Sequence, residues 1–355
     1  MKAVQSMRKA FSRTAPNMGV IMALLCILAL VSLVFAIGLG PVTVPAENVA
    51  KILLGRIPGL GRMIPQTFSQ LDENIVLGLR FPRVCLGFLV GSSLAVTGVA
   101  MQALVRNPLA DPFILGVSSG AAVTATLGML FGLFSFLGRY SLSLSAFIGS
   151  FITIVLVYLI SKVRGKVNIT QLLLTGVAVS MIMEGLTRVI SLSAPNALGL
   201  HSATFWLSGS LAGAQMAYLT VPLITVLVCM SVLMLNHRAL NLLLLGEESA
   251  GALGVSVSKI QKLLILIASL MTAITVAVSG GIGFIGLMVP HFTRLLVGGD
   301  HRKVLPVSAL LGGTILVWVD VAARMMIAPQ ELPVGILTSI IGGPVFVWML
   351  KRNKR

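Results

Sequence analysis

Asp320 and Arg324 stand four residues apart inside an apolar stretch, and Glu184 and Arg188 repeat that spacing. Four residues is about one helical turn, so each pair shares a face and can neutralise itself where water is scarce. Proton coupling would be the chemical use of such pairs, and a structural ion pair is the simpler one. Arg80 and Arg83 flank Phe81 and Pro82. Pro82 suits the first turn of a helix, and the two cations can receive a partner's acidic groups or hold lipid phosphates. His291 and Arg294 follow Pro290 and share a face at i,i+3. The four histidines (201, 237, 291 and 301) fall in separate segments, and Cys26, Cys85 and Cys229 form no CxxC pair. No metal site is expected. The GxxxxGK[ST] phosphate loop and HExxH are also absent. The residues therefore point away from an enzyme, and no cofactor is implied.

Their setting explains the pattern. Of 355 residues, 57% are hydrophobic and 10% charged, whereas a soluble domain usually carries about 25% charge. Apolar stretches that can span a bilayer recur at 19–39, 84–105, 113–134, 142–161, 170–190, 217–235, 263–280, 284–298, 304–324 and 333–350. A membrane span needs about 20 such residues, so the fold class is an all-α polytopic membrane protein with about ten transmembrane helices. The basic N-terminus precedes a long run that ends without a small-x-small cleavage site, so that run is taken as the first membrane helix. The 36 glycines fit helices packed through small residues. The net charge of +16 reflects helix ends rather than nucleic-acid binding. With the N-terminus inside, 18 of the 26 Lys and Arg fall on the cytoplasmic side, as the positive-inside rule demands. An even number of crossings returns the basic C-terminus to the same side.

Several segments carry more than hydrophobicity. In 98–121, the turn Arg106-Asn107-Pro108 ends one helix, and Asp111-Pro112 fits the N-cap and first position of the next. This is a well-capped inner turn or a rigid corner that moves with a gate. In 241–262, Gly246 breaks an apolar run, and Glu247 and Glu248 would sit in the first turn of a short helix over Glu247–Leu253. With Leu253 and Val255 exposed, that helix is a knob for a soluble partner. From 279 to 298, glycines at 280, 281, 283 and 286 would weaken an ordinary helix by roughly 1 kcal/mol each, so close backbone approach must matter. The extracytoplasmic loop, 40–83, is expected to carry a surface helix near Glu47–Leu54.

These segments resemble the FecCD-type permeases of bacterial importers for ferric siderophores, haem or vitamin B12. The resemblance covers about 20–350 and rests on the following segments. They are RFPR at 80–83, the run 98–121, WLSGSL at 206–211, LGEESAGALG at 245–254, GGIGFIGLMVPHFTR at 280–294, and Asp320 to Phe346. It implies a type II ABC importer permease fold, with 1–355 as one transmembrane domain. It also implies a second permease copy as a homodimer, two cytoplasmic ATPase subunits, and an extracytoplasmic substrate-binding protein, all within membrane lipid of the bacterial inner membrane. Within the cytoplasmic region 236–262, it assigns ATPase coupling to Leu245, Gly246, Glu247, Glu248, Ser249, Ala250, Leu253 and Gly254. Arg56, Arg80 and Arg83 become docking candidates for the binding protein. Arg106, Asn107, Pro108, Gly283, Pro290, His291 and Arg294 become gate or packing residues. Segment 55–74 has no counterpart in the matched pattern. The substrate is expected to be an iron chelate, either a ferric siderophore or haem. A cobalamin importer and an ion-gradient-driven secondary transporter are the alternatives.

Overall fold

A backbone amide in hydrocarbon has no water to bond, so each apolar stretch must close its own hydrogen bonds as a helix. The computed structural model describes residues 18–56, 65, 67–163 and 166–353. It contains helices α1 (Met18–Gly38), α2 (Ala46–Gly55), α3 (Gln70–Asn74), α4 (Phe81–Val105), α5 (Val117–Phe131), α6 (Ser141–Ile160), α7 (Ile169–Leu192) and α8 (Ala197–Leu207). These are followed by α9 (Thr220–Leu235), α10 (His237–Leu243), α11 (Glu247–Ala252), α12 (Val257–Ser279), α13 (Ile285–Val297), α14 (His301–Met325) and α15 (Val334–Asn353). A two-stranded hairpin, Lys162–Val163 with Lys166–Val167, joins α6 to α7. Among the described residues, seven helical spans are long and apolar enough to cross a membrane, and shorter apolar helices lie in α5, α13 and α15. Each expected span coincides with one of these ten.

The boundaries moved where capping overrode hydrophobicity. Ser69 accepts from the Asp72 amide, and α3 runs through a π-helical turn, Ile75–Arg80, directly into α4. The expected outer loop is thus largely helical where described, with α2 at the anticipated place; residues 57–64 and 66 of segment 55–74 lie outside the described residues. Asp111 caps Phe113 as its neighbours implied, but it starts a 3-10 turn, Pro112–Leu115. Gly116, at φ +78°, then redirects the chain into α5. Helix α8, capped by Asn196 on Gly199, had no strong apolar signal.

Helix α4 is the axis of the bundle. Twenty of its 25 residues are buried, enclosed by α1, α9, α12, α13 and α14. This packing needs glycine. A Cβ on Gly98 would overlap the Gly286 carbonyl of α13, and one on Gly91 would overlap Gly312 of α14. Small residues let backbones approach closely where lipid supplies no hydrophobic drive.

Residues assigned to the same side by charge do meet. One end of the bundle, here the basic end, gathers the C-terminus of α4 and the starts of α12 and α14 around α10 and α11. The opposite end gathers the C-termini of α1 and α14 around the start of α4.

Candidate functional site

At the basic end, α4 stops at Arg106, which takes the left-handed conformation (φ 55°, ψ 33°) usually left to glycine. The Asn107 side chain accepts from the Leu109 amide at 2.9 Å, fixing the turn through Pro108. Arg106 reaches across to Glu247 in the first turn of α11, at 2.9 Å. Helix α11 is short and anchored on one side: Ala250 is buried, while Glu248, Ser249, Leu253 and Gly254 face outward. Leu245 is 64% exposed and Leu253 61%, a pair of apolar side chains flanking a polar helix. Gly246 enters α11 at φ 108° and ψ 157°, a region essentially restricted to glycine. The expected exposure of Val255 is corrected. Its amide donates to the Ala250 carbonyl at 3.0 Å, which folds the chain back and packs Val255 against the core.

A second bond holds α10 to the next loop. Asp300 caps α14 through the Arg302 amide at 3.0 Å and accepts from the Asn241 side chain at 2.8 Å. The Asn241 oxygen in turn accepts from the His301 amide at 2.9 Å. The Asn241 amide beside Asp300, helped by the Arg302 N–H and despite slight burial, holds its carboxyl below the usual carboxylate range. Because the folded group is the stronger acid, its contribution is complete above about pH 4 and disappears as pH falls through the folded pKa. Replacing Asp300 with Ala should cost about 1 kcal/mol as a lost N-cap. A lower thermal unfolding midpoint at pH 7, converging on wild type as pH falls through the folded pKa, is the expected result.

Further in, Arg294 of α13 donates to the Gln102 side-chain oxygen of α4, and the Gln102 amide reaches the Leu287 carbonyl at 3.3 Å. Pro290 is buried within α13, and His291 is half-buried with its ring edge-on to Phe292. These residues therefore tie α13 to α4 beneath the basic end.

The glycine-rich stretch is a break in the helical backbone. Residues 280–284 are non-helical between α12 and α13, with Gly280 at φ 64° and Phe284, unusually for its type, at φ 67°. Three distant segments join there. The Ser210 amide donates to the Ser279 carbonyl at 2.8 Å, and the Gly335 amide to the Gly209 carbonyl at 3.1 Å. A Cβ on Gly335 would overlap the Ser208 carbonyl. Gly283 has open space beside it. Beside this junction lies a cavity of about 140 Å³ lined by Ser118, Ser119, Glu184, Trp206 and Gly281 among others. Gly209 and Gly335 lay inside segments noted in the sequence, yet nothing there paired them.

At the opposite end, two of the three candidate docking arginines are buried. Arg83 is 8% exposed and bonds Asp320 at 2.9 Å and Glu331 at 2.8 Å. Arg80, 6% exposed, donates to the carbonyls of Ile37, Gly38 and Val42. Arg324 pairs with Asp320 at 3.1 Å, as the i,i+4 spacing implied, and also donates to Leu39 and Ala36. Arg80 and Arg324 thus cap the carbonyl end of α1, where the helix dipole favours cations. The donors of Arg80 and Arg83 are therefore used inside the chain. Arg56 remains accessible. Its side chain is 65% exposed while bonding Glu73 at 2.6 Å. Glu184 and Arg188 are both exposed and form no ion pair among the described residues.

The FecCD transport family model matches residues 27–352. The hemin transport system permease protein HmuU of Yersinia pestis is 42% identical over 79% of this chain and 84% of its own. The Fe(3+) dicitrate transport system permease protein FecD of Escherichia coli is 42% identical over 85% and 93%, respectively. Among solved structures, a protein assigned as a metal-chelate type ABC transporter, captured facing inward, superposes with a TM-score of 0.80. That alignment has 32% identity and covers 94% of this chain and 99% of that one.

Proposed function

The chain belongs to the FecCD transport family, and on that premise we propose that it is the membrane-spanning permease subunit of an ATP-driven importer for an iron-containing chelate, a ferric siderophore or haem. It is a transport subunit rather than an enzyme, and separate ATPase subunits supply the energy. The observation that carries this reading is α11. Arg106 and the buried Ala250 hold it over the basic end, and Leu245, Glu248, Ser249 and Leu253 face away from the bundle. A small, rigidly entered helix of this kind suits a cleft on a soluble subunit, with ATP-driven motion pressed onto α4 through Glu247 and Arg106.

The basic end then faces the cytoplasm, with both termini on that side, and the α2–α3 cap faces the substrate-binding protein. Arg56 is its accessible cation. The cavity at the broken backbone, where Glu184 and two serines stand among apolar walls, marks the side turned to the path. Helix α7 exposes Glu184 and Arg188 there, in contrast to the uncharged outer faces of α6 and α9. A second copy across that path completes a homodimer. Iron is favoured because two close relatives are a hemin and a ferric dicitrate permease. Vitamin B12 is the alternative that the family allows.

The test is uptake into proteoliposomes holding this chain, its ATPase and its binding protein, with haem, ferric siderophores and cobalamin supplied in turn. ATP-dependent uptake that requires both partners, with an iron chelate preferred, is the expected result. Preference for cobalamin would correct the substrate. Uptake driven by an ion gradient without the partners would replace the importer with a secondary carrier.

A further inference from the structure

At the end opposite the coupling helix, a cavity of about 350 Å³ opens between the first turns of α6, the start of α9 and the last turns of α12. Its wall is almost entirely apolar, with Leu144, Phe147, Val221 and Ile274 as the large members. Tyr140 and Tyr218 also line it, their rings edge-to-face at 5.9 Å. The Tyr218 hydroxyl donates to the Arg139 carbonyl at 2.7 Å, and the exposed Arg139 guanidinium lies 5.0 Å from the Tyr140 ring centre. No carboxylate among the described residues lies within ion-pair distance of it. The cavity is thus apolar within and carries an uncompensated cation beside its mouth.

Its surroundings identify the solvent. Helices α6 and α9 contain no charged residue and expose Phe151, Ile152, Ile224 and Leu227, a surface suited to hydrocarbon. From Ser143 to Phe147 the cavity wall follows α6 for about 6 Å along the helix axis. Tyrosine and arginine at its mouth are the side chains that settle at the membrane–water boundary.

We propose that this cavity is a phospholipid site of the outer leaflet: one acyl chain fills the space between α6, α9 and α12, and the lipid phosphate is held by Arg139. The phosphate oxygens complement a planar guanidinium that has no carboxylate partner among the described residues. The tyrosine pair frames the point where chain and headgroup meet. The bound lipid covers apolar wall left open by the separation of α6 from α9. The site stands whether or not the importer reading holds, because it requires only that the chain lie in a bilayer.

The test uses the full chain in nanodiscs of phosphatidylethanolamine and phosphatidylglycerol, doped with a phospholipid carrying a diazirine on one acyl chain. After irradiation, labelled peptides are mapped. Label concentrated in 140–147, 217–221 and 274–278 is the expected outcome, with most of it lost in Ala217→Phe, which narrows the cavity. Arg139→Gln leaves the apolar wall intact. It should lower labelling by the phospholipid while leaving labelling by a diazirine-bearing fatty alcohol unchanged. Label spread evenly over the outer faces of α6 and α9 would overturn the proposal. So would indifference to both substitutions. Protein–protein cross-links from the same segments to a second copy would reassign the surface to an interface.

Discussion

Replacing Arg83 with Leu should be the most damaging single change outside the glycine contacts, costing about 3–5 kcal/mol of stability. Arg83 joins Asp320 on α14 to Glu331 in the following turn, and its side chain is 10% exposed. Asp320 is almost wholly buried, 1% exposed. Removing the guanidinium leaves Arg324 as its one cationic partner and strands Glu331. Desolvation of an unpaired carboxylate is the larger effect here, outweighing the lost packing of the Arg83 stem. Lys at 83 keeps the charge but cannot fork between two carboxylates, so it should recover only part of the loss. A double change, Arg83→Leu with Glu331→Gln, removes the stranded carboxylate while leaving Asp320 paired with Arg324, and should be milder than Arg83→Leu alone. Thermal unfolding of the detergent-solubilised chain, with the yield of monodisperse protein, reads each variant. A single mutant as stable as wild type would show that Arg324 alone suffices to neutralise Asp320.

The second large effect is expected at Gly246, and it is functional. A Cβ there meets no atom within 4 Å, so substitution creates no clash. The cost lies in the backbone: φ 108° with ψ 157° is worth of order 1–3 kcal/mol to a non-glycine residue. Gly246→Val should relieve that strain by turning α11 away from its present direction, breaking the register between Glu247 and Arg106. ATP-driven uptake should fall about tenfold or more, as 1.4 kcal/mol is worth a factor of ten, while the complex continues to hydrolyse ATP. The measured quantity is substrate moved per ATP split in proteoliposomes. Thermal stability should change little, which separates a misdirected helix from an unfolded one. A normal transport ratio in Gly246→Val would remove α11 from the coupling path.

Much of the architecture was legible because its causes are local. Hydrocarbon forces every apolar run to satisfy its own backbone, so the ten spans could be counted from composition. Caps act within three residues, and Asp111 was readable for that reason. The i,i+4 bond of Asp320 with Arg324 was readable because one helical turn brings them together.

What escaped depended on distance or on competition. Glu184 and Arg188 share the same spacing, yet both stay exposed and apart; nothing in four residues records what surrounds a helix face. The burial of Arg80 and Arg83 was not legible, because an arginine at an apolar boundary has the same sequence whether it faces a partner or the interior. Their burial was decided by carbonyls at 37–42 and carboxylates at 320 and 331, some 40 to 250 residues away. The meeting of Gly209, Ser279 and Gly335 was hidden similarly. Sequence alone determined the class of fold and the placement of its apolar spans, since bilayer thickness and backbone hydrogen bonding act on each stretch independently. Only the tertiary structure decided which charges are internal, where the helices break against each other, and which surfaces stay open, because those follow from long-range packing that forces buried polar groups to find partners.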